Sequence, residues 1–279
     1  RTPSSSSSSF LSFRMKVERS LAVAMNATIV GSGDEAIILA HGFGGDKSYW
    51  DAVLPALSRR SRVLVFDWCF SGAVRDLGLF DPAVDSSFDA FADHLIRLIE
   101  ELRLGPSVFV GHSMSGMIGC IAAVKRPDLF NKLVLVAASP RYLNTEGYEG
   151  GFDDSTVKEM ISLMELDFQK WASAFAATIA TAEADLWVAE KYEKSLRSMV
   201  PEVAVAVVRT VFYGDNRAVL ERVPVPCTVV QTVRDAAVPE SVAHYMKAKL
   251  KGNAAVEIID VPGHFPQLTA PDRLVSLIQ

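Results

Sequence analysis

No apolar run in the 279 residues approaches the roughly 20 needed for a helix to cross a bilayer, so no segment reads as a membrane span. A basic excess is also missing. Lys and Arg total 28 against 33 Asp and Glu, a net charge of −5, which excludes the electrostatic footprint of a nucleic-acid binder. The three cysteines, Cys69, Cys120 and Cys227, have neither metal-ligand nor redox spacing. Cys120 and Cys227 sit in apolar runs and read as small buried hydrophobes. An odd, unpaired count points to a reducing compartment, and the expected location is cytoplasmic and nuclear. No His, Asp or Glu cluster has metal spacing, so neither metal nor cofactor is expected. Gly31-x-Gly33 lacks the further glycine and the following helix that a nucleotide loop needs. Membrane and nucleic-acid partners are not expected, and a monomer is.

With 49% hydrophobic and 22% charged residues, the chain has ample material for a core. Residues 1–14 are the exception. They form a serine-rich, acid-free stretch that reads as a disordered tail, with an organelle transit peptide left open as a second reading. Residues 15–279 are expected to form one domain. Apolar runs at 27–30, 36–40, 62–66, 108–110 and 133–137 alternate with helical segments at 48–58, 87–103 and 115–125. That alternation predicts an α/β fold, a mostly parallel central sheet with helices on both faces. The rhythm breaks after Pro140. From Asp153 to about Val211 only helical patterns occur, with Asp153 or Asp154 able to cap the first helix and Pro201 opening the last. This block, about 140–213, is expected to be a helical lid over the sheet edge where ligands bind. Strand patterns return at 227–231 and 256–259, and a short helix closes the chain.

The chemistry concentrates in three places. Gly111-His112-Ser113-Met114-Ser115 lies between a strand and a helix and has the form of a nucleophile elbow, G-x-S-x-G, with its last glycine replaced by Ser115. Asp235 follows the strand 227–231, and His264 follows the strand 256–259. The order Ser, acid, His is that of an α/β-hydrolase, and all three fall at strand C-termini. Ser113, Asp235 and His264 are therefore the expected catalytic residues. Imidazole takes the serine proton, and the carboxylate holds the imidazole in the working tautomer. The oxyanion hole is expected from the backbone N–H groups of Met114 and of Phe43 in His41-Gly-Phe-Gly-Gly. His41 and His112 read as structural, and His94 and His244 as solvated or packed on helices. Phe168, Trp171 and Phe175 form a helical stripe that is either lid core or pocket wall.

His41-Gly-Phe-Gly-Gly, Gly111-His-Ser-Met-Ser-Gly-Met-Ile-Gly, Ala138-Ser-Pro-Arg-Tyr-Leu-Asn, Gly150-Gly-Phe and Gly263-His-Phe-Pro-Gln-Leu resemble the plant strigolactone and karrikin receptor hydrolases. The likeness runs from about Ala27 to the C-terminus. The Phe66-Asp-Trp-Cys-Phe-Ser-Gly-Ala loop and the Ser-Met-Ser-Gly elbow look most like the dwarf-fourteen-like-two branch. The resemblance implies a four-helix lid, a small apolar butenolide-type ligand, and F-box and repressor partners. It also implies a pocket drawing on Phe43, Tyr142, Phe168, Trp171, Phe175 and Ala206. The sequence departs from the family at Asp67-Trp-Cys-Phe-Ser-Gly, which stands where the receptors carry Asp-x-x-Gly-x-Gly. It departs again at Ala206, in place of a phenylalanine, and at Val200, in place of an arginine. Two functions are expected from this reading. One is a slow serine hydrolase of butenolide-like esters in plant hormone signalling. The other is a ligand-sensing receptor or binding protein whose hydrolysis is vestigial.

Overall fold

Continuous runs of Val, Ile, Leu and Phe can satisfy their backbone only in a sheet covered on both faces, and the chain builds one. The computed structural model describes residues 20–180 and 186–279; the serine-rich segment 1–14 lies outside them. Seven strands form the sheet: β1 (Thr28–Val30), β2 (Glu35–Ala40), β3 (Ser61–Val65), β4 (Ser107–His112), β5 (Phe130–Val136), β6 (Cys227–Val233) and β7 (Ala254–Pro262). Their order is β1-β3-β2-β4-β5-β6-β7, parallel throughout except for β1, which pairs antiparallel with β3. β1 and β2 are consecutive yet not neighbours, because the Gly31–Asp34 turn carries the chain across β3. A Cβ on Gly33 would lie 1.7 Å from the Arg60 carbonyl, so the crossing is open only to glycine.

Alternation along the strands divides the core in two. Ile38, Ala40, Leu64, Phe66, Phe109, Leu133 and Leu135 face one side, packed under the helices Phe88–Leu102 and Met114–Lys125. Ile37, Leu39, Val63, Val108, Val110, Val134 and Val230 face the other, covered by Trp50, Leu57, Leu274 and Ile278. The helix expected over 48–58 is broken into a 3₁₀ turn, Lys47–Trp50, capped by Asp46, and a single turn, Leu54–Leu57. Pro55 accounts for the break. It has no N–H and its ring excludes the carbonyl four residues back, so it is tolerated only in a first turn. Sequence periodicity also understated β5 and β7, whose ends extend past their apolar centres, while the surface helix expected near His244 is Glu240–Lys249, between β6 and β7.

Between β5 and β6 the described residues form four longer helices, Asp154–Leu166, Phe168–Ile179, Leu186–Arg197 and Pro201–Tyr213, followed by the single turn Arg217–Leu220. Pro201 opens the last of the four, as expected. Asp153 occupies the cap position of the first, but its carboxylate accepts from the Asn144 side chain at 2.9 Å instead of from the helix. The two ends of the insertion are tied together at its neck. The Asn216 N–H donates to the Pro140 carbonyl at 2.8 Å, and Arg141 pairs with Asp215 at 3.0 Å.

Behind the lid neck, Phe91 holds an aromatic cluster, with ring centroids 5.0 Å from Phe70, 6.1 Å from Phe80, and 6.4 Å from Trp68 and Phe88. Truncating such a residue loses its transfer energy and leaves a cavity. Phe91→Ala is expected to cost about 3–5 kcal/mol, read as a lower urea midpoint at unchanged slope. A loss below about 1 kcal/mol would show that the cluster collapses around the gap.

Candidate active site

Three parallel strands reach the same edge of the sheet, and each turns there through a residue with left-handed backbone. Ser113 follows β4 with φ 56° and ψ −126°. Arg234, with φ 50°, turns the chain after β6 and presents Asp235. Gly263, with φ 95°, turns it after β7 and presents His264. For a non-glycine residue this backbone costs on the order of 1–3 kcal/mol and persists only where its surroundings enforce it. At Ser113 the enforcement is visible. A Cβ on Gly111 would fall 2.6 Å from the Ser115 carbonyl carbon and oxygen, and one on Gly116 would fall 2.5 Å from the Ala138 Cβ. The strand and the helix Met114–Lys125 therefore approach each other through glycine, and the serine between them is pushed outward.

The side chains meet in one hydrogen-bonded line. His264 Nδ1 lies 2.8 Å from Asp235 Oδ2, and its Nε2 lies 3.0 Å from Ser113 Oγ. Asp235 is fully covered, and it accepts from the Ala237 and Val238 N–H groups at 2.8 and 3.1 Å and from Gln231 Nε2 at 3.1 Å. Four N–H donors thus converge on the carboxylate and fix its plane. With Nδ1–H committed to Asp235, His264 Nε2 is the acceptor and Ser113 donates to it. Tyr142, buried beside them, lies 3.1 Å from Ser113 Oγ. Burial pushes its phenol well above the usual tyrosine range, so it keeps its proton and donates to the serine oxygen. Proton positions along the whole line follow: Tyr142 to Ser113, Ser113 to His264, His264 to Asp235.

The family model described as "Alpha/beta hydrolase family" matches residues 37–277. The chain belongs to the alpha/beta hydrolase family. Its curated relatives include strigolactone esterase D14 of Arabidopsis thaliana, 40% identical over 92% of this chain and 95% of that protein. Another is karrikin insensitive 2 receptor CA of Petunia hybrida, 38% identical over 91% of this chain and 94% of that one. These relatives agree with the group resemblance read from the motifs. Among solved structures, a hydrolase from Oleispira antarctica superimposes with a TM-score of 0.89 at 29% identity, covering 93% of this chain and 96% of its own.

In this α/β-hydrolase the space above Ser113 is narrow, a cavity of about 30 Å³. By the volume an ordered water needs, that is room for roughly two waters. Of the expected pocket residues, Phe43, Tyr142 and Phe175 line it, together with Ile179, Tyr192, Val211, Phe212 and Ala237. Phe168, Trp171 and Ala206 do not. Trp171 packs against the Phe43 ring at 6.3 Å and, with Phe175, lines a separate outer groove of about 270 Å³ between the first two lid helices. Phe168 packs behind Trp171 at 5.2 Å. Ala206 is carried to the flank of its helix, where Val207 and Val211 take the inward positions. Tyr192 was not anticipated, although Val188, Tyr192 and Leu196 form a buried stripe at helical spacing; its hydroxyl donates to the Phe43 carbonyl at 3.2 Å. Met114 opens the helix after Ser113, where the first N–H groups have no partner within the helix.

His112, expected to be structural, lies beside the candidate triad and bonds the backbone of one of its members. Its Nε2–H donates to the His264 carbonyl at 2.8 Å, across from the catalytic edge. Burial holds its pKa well below the ordinary histidine value, with the neighbouring His264 acting in the same direction; burial also lowers His41 and His94. A histidine kept neutral in the fold takes up its proton more readily once unfolded. Stability is therefore intact above the unfolded value near 6.5 and is lost as pH falls below it, by up to about 1.4 kcal/mol per unit for each such group. Urea midpoints from pH 7.5 to 5 are expected to fall, and His112→Gln, which retains a donor for the His264 carbonyl, is expected to flatten the slope. Identical slopes in the two proteins would contradict the assignment.

Proposed function

We propose that this chain is a serine hydrolase of small butenolide-like esters, in the manner of the strigolactone esterases it matches, and that it acts in plant hormone signalling. The observation that carries the reading is the unbroken Asp235–His264–Ser113 line at 2.8 and 3.0 Å, set in a buried cavity. Ser113 Oγ attacks the ligand carbonyl as His264 Nε2 takes its proton. Asp235, fixed by four N–H donors, stabilises the imidazolium that results. Negative charge forming on the carbonyl oxygen is received by the N–H groups of Phe43 and Met114. Collapse of the tetrahedral centre expels the leaving oxygen, which takes its proton from His264 and leaves an acyl or butenolide adduct on the protein. Water then releases the adduct.

Intact-protein mass spectrometry after exposure to a panel of butenolide probes tests both the chemistry and the ligand class. An adduct on Ser113 or His264, or released product, is expected. Ser113→Ala is expected to abolish both, and Asp235→Asn to lower turnover about 10³–10⁴-fold. Turnover of simple p-nitrophenyl esters with no reaction toward any butenolide would instead mark a general esterase.

A second reading is supported by the small volume of the cavity over Ser113. A cavity of about 30 Å³ admits a ligand of more than a few atoms only if the side chains over Ser113 shift, so occupancy and lid packing are linked, as a receptor requires. Complementation separates the two. A Ser113→Ala protein that still restores a mutant plant would assign the function to binding; failure to restore it would assign it to turnover.

A further inference from the structure

Ser115 stands where the elbow motif has glycine, and Trp68 lies in the altered loop after β3, two residues before Phe70, which takes the place of that loop's first glycine. The structure brings Ser115 and Trp68 into contact. Trp68 Nε1–H points between two acceptors, Ser115 Oγ at 2.9 Å and the His41 carbonyl at 3.0 Å. Ser115 Oγ–H donates to the same His41 carbonyl at 2.5 Å. The Trp68 backbone N–H donates to His41 Nε2 at 3.1 Å, and His41 Nδ1 lies 2.8 Å from the Gly42 carbonyl. With Nε2 accepting from Trp68, the Nδ1 proton goes to Gly42. All three side chains are fully buried, and the indole is clamped by Phe66 at 4.9 Å, with Phe70 stacked on it at 5.9 Å.

This web ends where the oxyanion loop begins. Gly42 follows His41 directly, and a Cβ there would sit 2.9 Å from both the Ser113 Cβ and the His112 Nδ1. A shift of the His41 carbonyl rotates the next peptide and so displaces the Phe43 N–H relative to Ser113. We propose that Trp68 and Ser115 are a positioning pair that fixes the oxyanion-hole loop against the nucleophile elbow by jointly holding His41. The inference rests on the reading above that the Phe43 N–H receives the oxyanion. On that basis the two side chains depend on each other. A glycine at 115 would leave the indole N–H with one partner fewer, and an aliphatic residue at 68 would leave the His41 carbonyl and the Ser115 hydroxyl to each other alone.

Trp68→Phe keeps the ring and the backbone donor but removes the indole N–H; Ser115→Ala removes the hydroxyl. Both are assayed with p-nitrophenyl acetate and with an alkyl trifluoromethyl ketone. The ketone adds Ser113 Oγ to its carbonyl carbon, sends the carbonyl electron pair to oxygen and the serine proton to His264, and so places an alkoxide in the hole. Each variant is expected to lower kcat about tenfold, to hold KM within about twofold, and to weaken ketone inhibition about tenfold. Because both act through the His41 carbonyl, the double variant is expected to lose about 20-fold, well short of the product of the single losses. A purely structural role would lower the melting temperature and leave kcat and ketone inhibition of the folded protein unchanged, and that outcome overturns the proposal. Multiplicative losses in the double variant overturn the pairing. Should Trp68→Phe not fold, Ser115→Ala decides by the same kcat and ketone readings. A wild-type protein that neither turns over the ester nor binds the ketone removes the hydrolase reading and this inference with it. Wild-type activity matched by both variants removes the inference alone.

Discussion

Backbone strain at the carboxyl edge of the sheet is the constraint on which the site depends. Ser113, Arg234 and Gly263 all carry positive φ, and each lies at, or one residue before, a member of the candidate triad. A strand leaving a parallel sheet normally continues along its own axis. A left-handed residue reverses the chain within one step, so a side chain at the turn points across the edge towards its neighbours. The cost falls on neighbouring structure. β4, β5, β6 and β7 are adjacent, so each strained turn leaves a strand that is paired on at least one side, although the β4–β5 and β6–β7 registers each shift once. The Ser113 N–H donates to the Val136 carbonyl at 2.8 Å, which places the nucleophile within the backbone network of the next strand.

Hydrogen bonding at the site is close to saturated on the sheet side. Asp235 accepts four donors, Ser113 both donates and accepts, and His112 and Thr232 hold the carbonyls of His264 and Gly263. Such networks resist partial rearrangement, because freeing one buried polar group costs about 1–3 kcal/mol. The lid side is built differently. Phe175, Ile179, Val211 and Phe212 meet the cavity through apolar contact alone, and Tyr192 supplies one hydrogen bond to the oxyanion loop.

Much of this was legible in the sequence, for identifiable reasons. Buried parallel strands are continuous apolar runs, so their positions along the chain could be read directly. The meeting of Ser113, Asp235 and His264 could be expected because strand C-termini in a parallel sheet share one edge, which turns three separate motifs into one location. Pocket walls were harder. Trp171 and Phe168 carry the size and spacing of pocket residues, but helical periodicity cannot say which of two faces a wide apolar stripe presents. Both lie behind Phe43 and not over Ser113. Tyr142 was placed in the pocket without its bond to Ser113, since its hydroxyl reaches the serine only through the fold of the loop after β5. The Trp68–Ser115 contact joins residues 47 positions apart and left no local pattern.

These two kinds of wall decide where a ligand can enter. The cavity of about 30 Å³ over Ser113 and the outer groove of about 270 Å³ share Phe175, which lines both spaces. Enlarging the cavity from the sheet side would break a strained turn or a saturated hydrogen-bond line. Enlarging it from the lid side requires apolar side chains to change rotamer, at a cost that apolar contact with the ligand returns. Admission of a ligand therefore falls to the second lid helix, while the geometry of attack is held by strands and turns that need not move. In the proposed reading, attack geometry and ligand admission rest on separate parts of the fold, so one candidate triad is compatible with both hydrolysis and sensing.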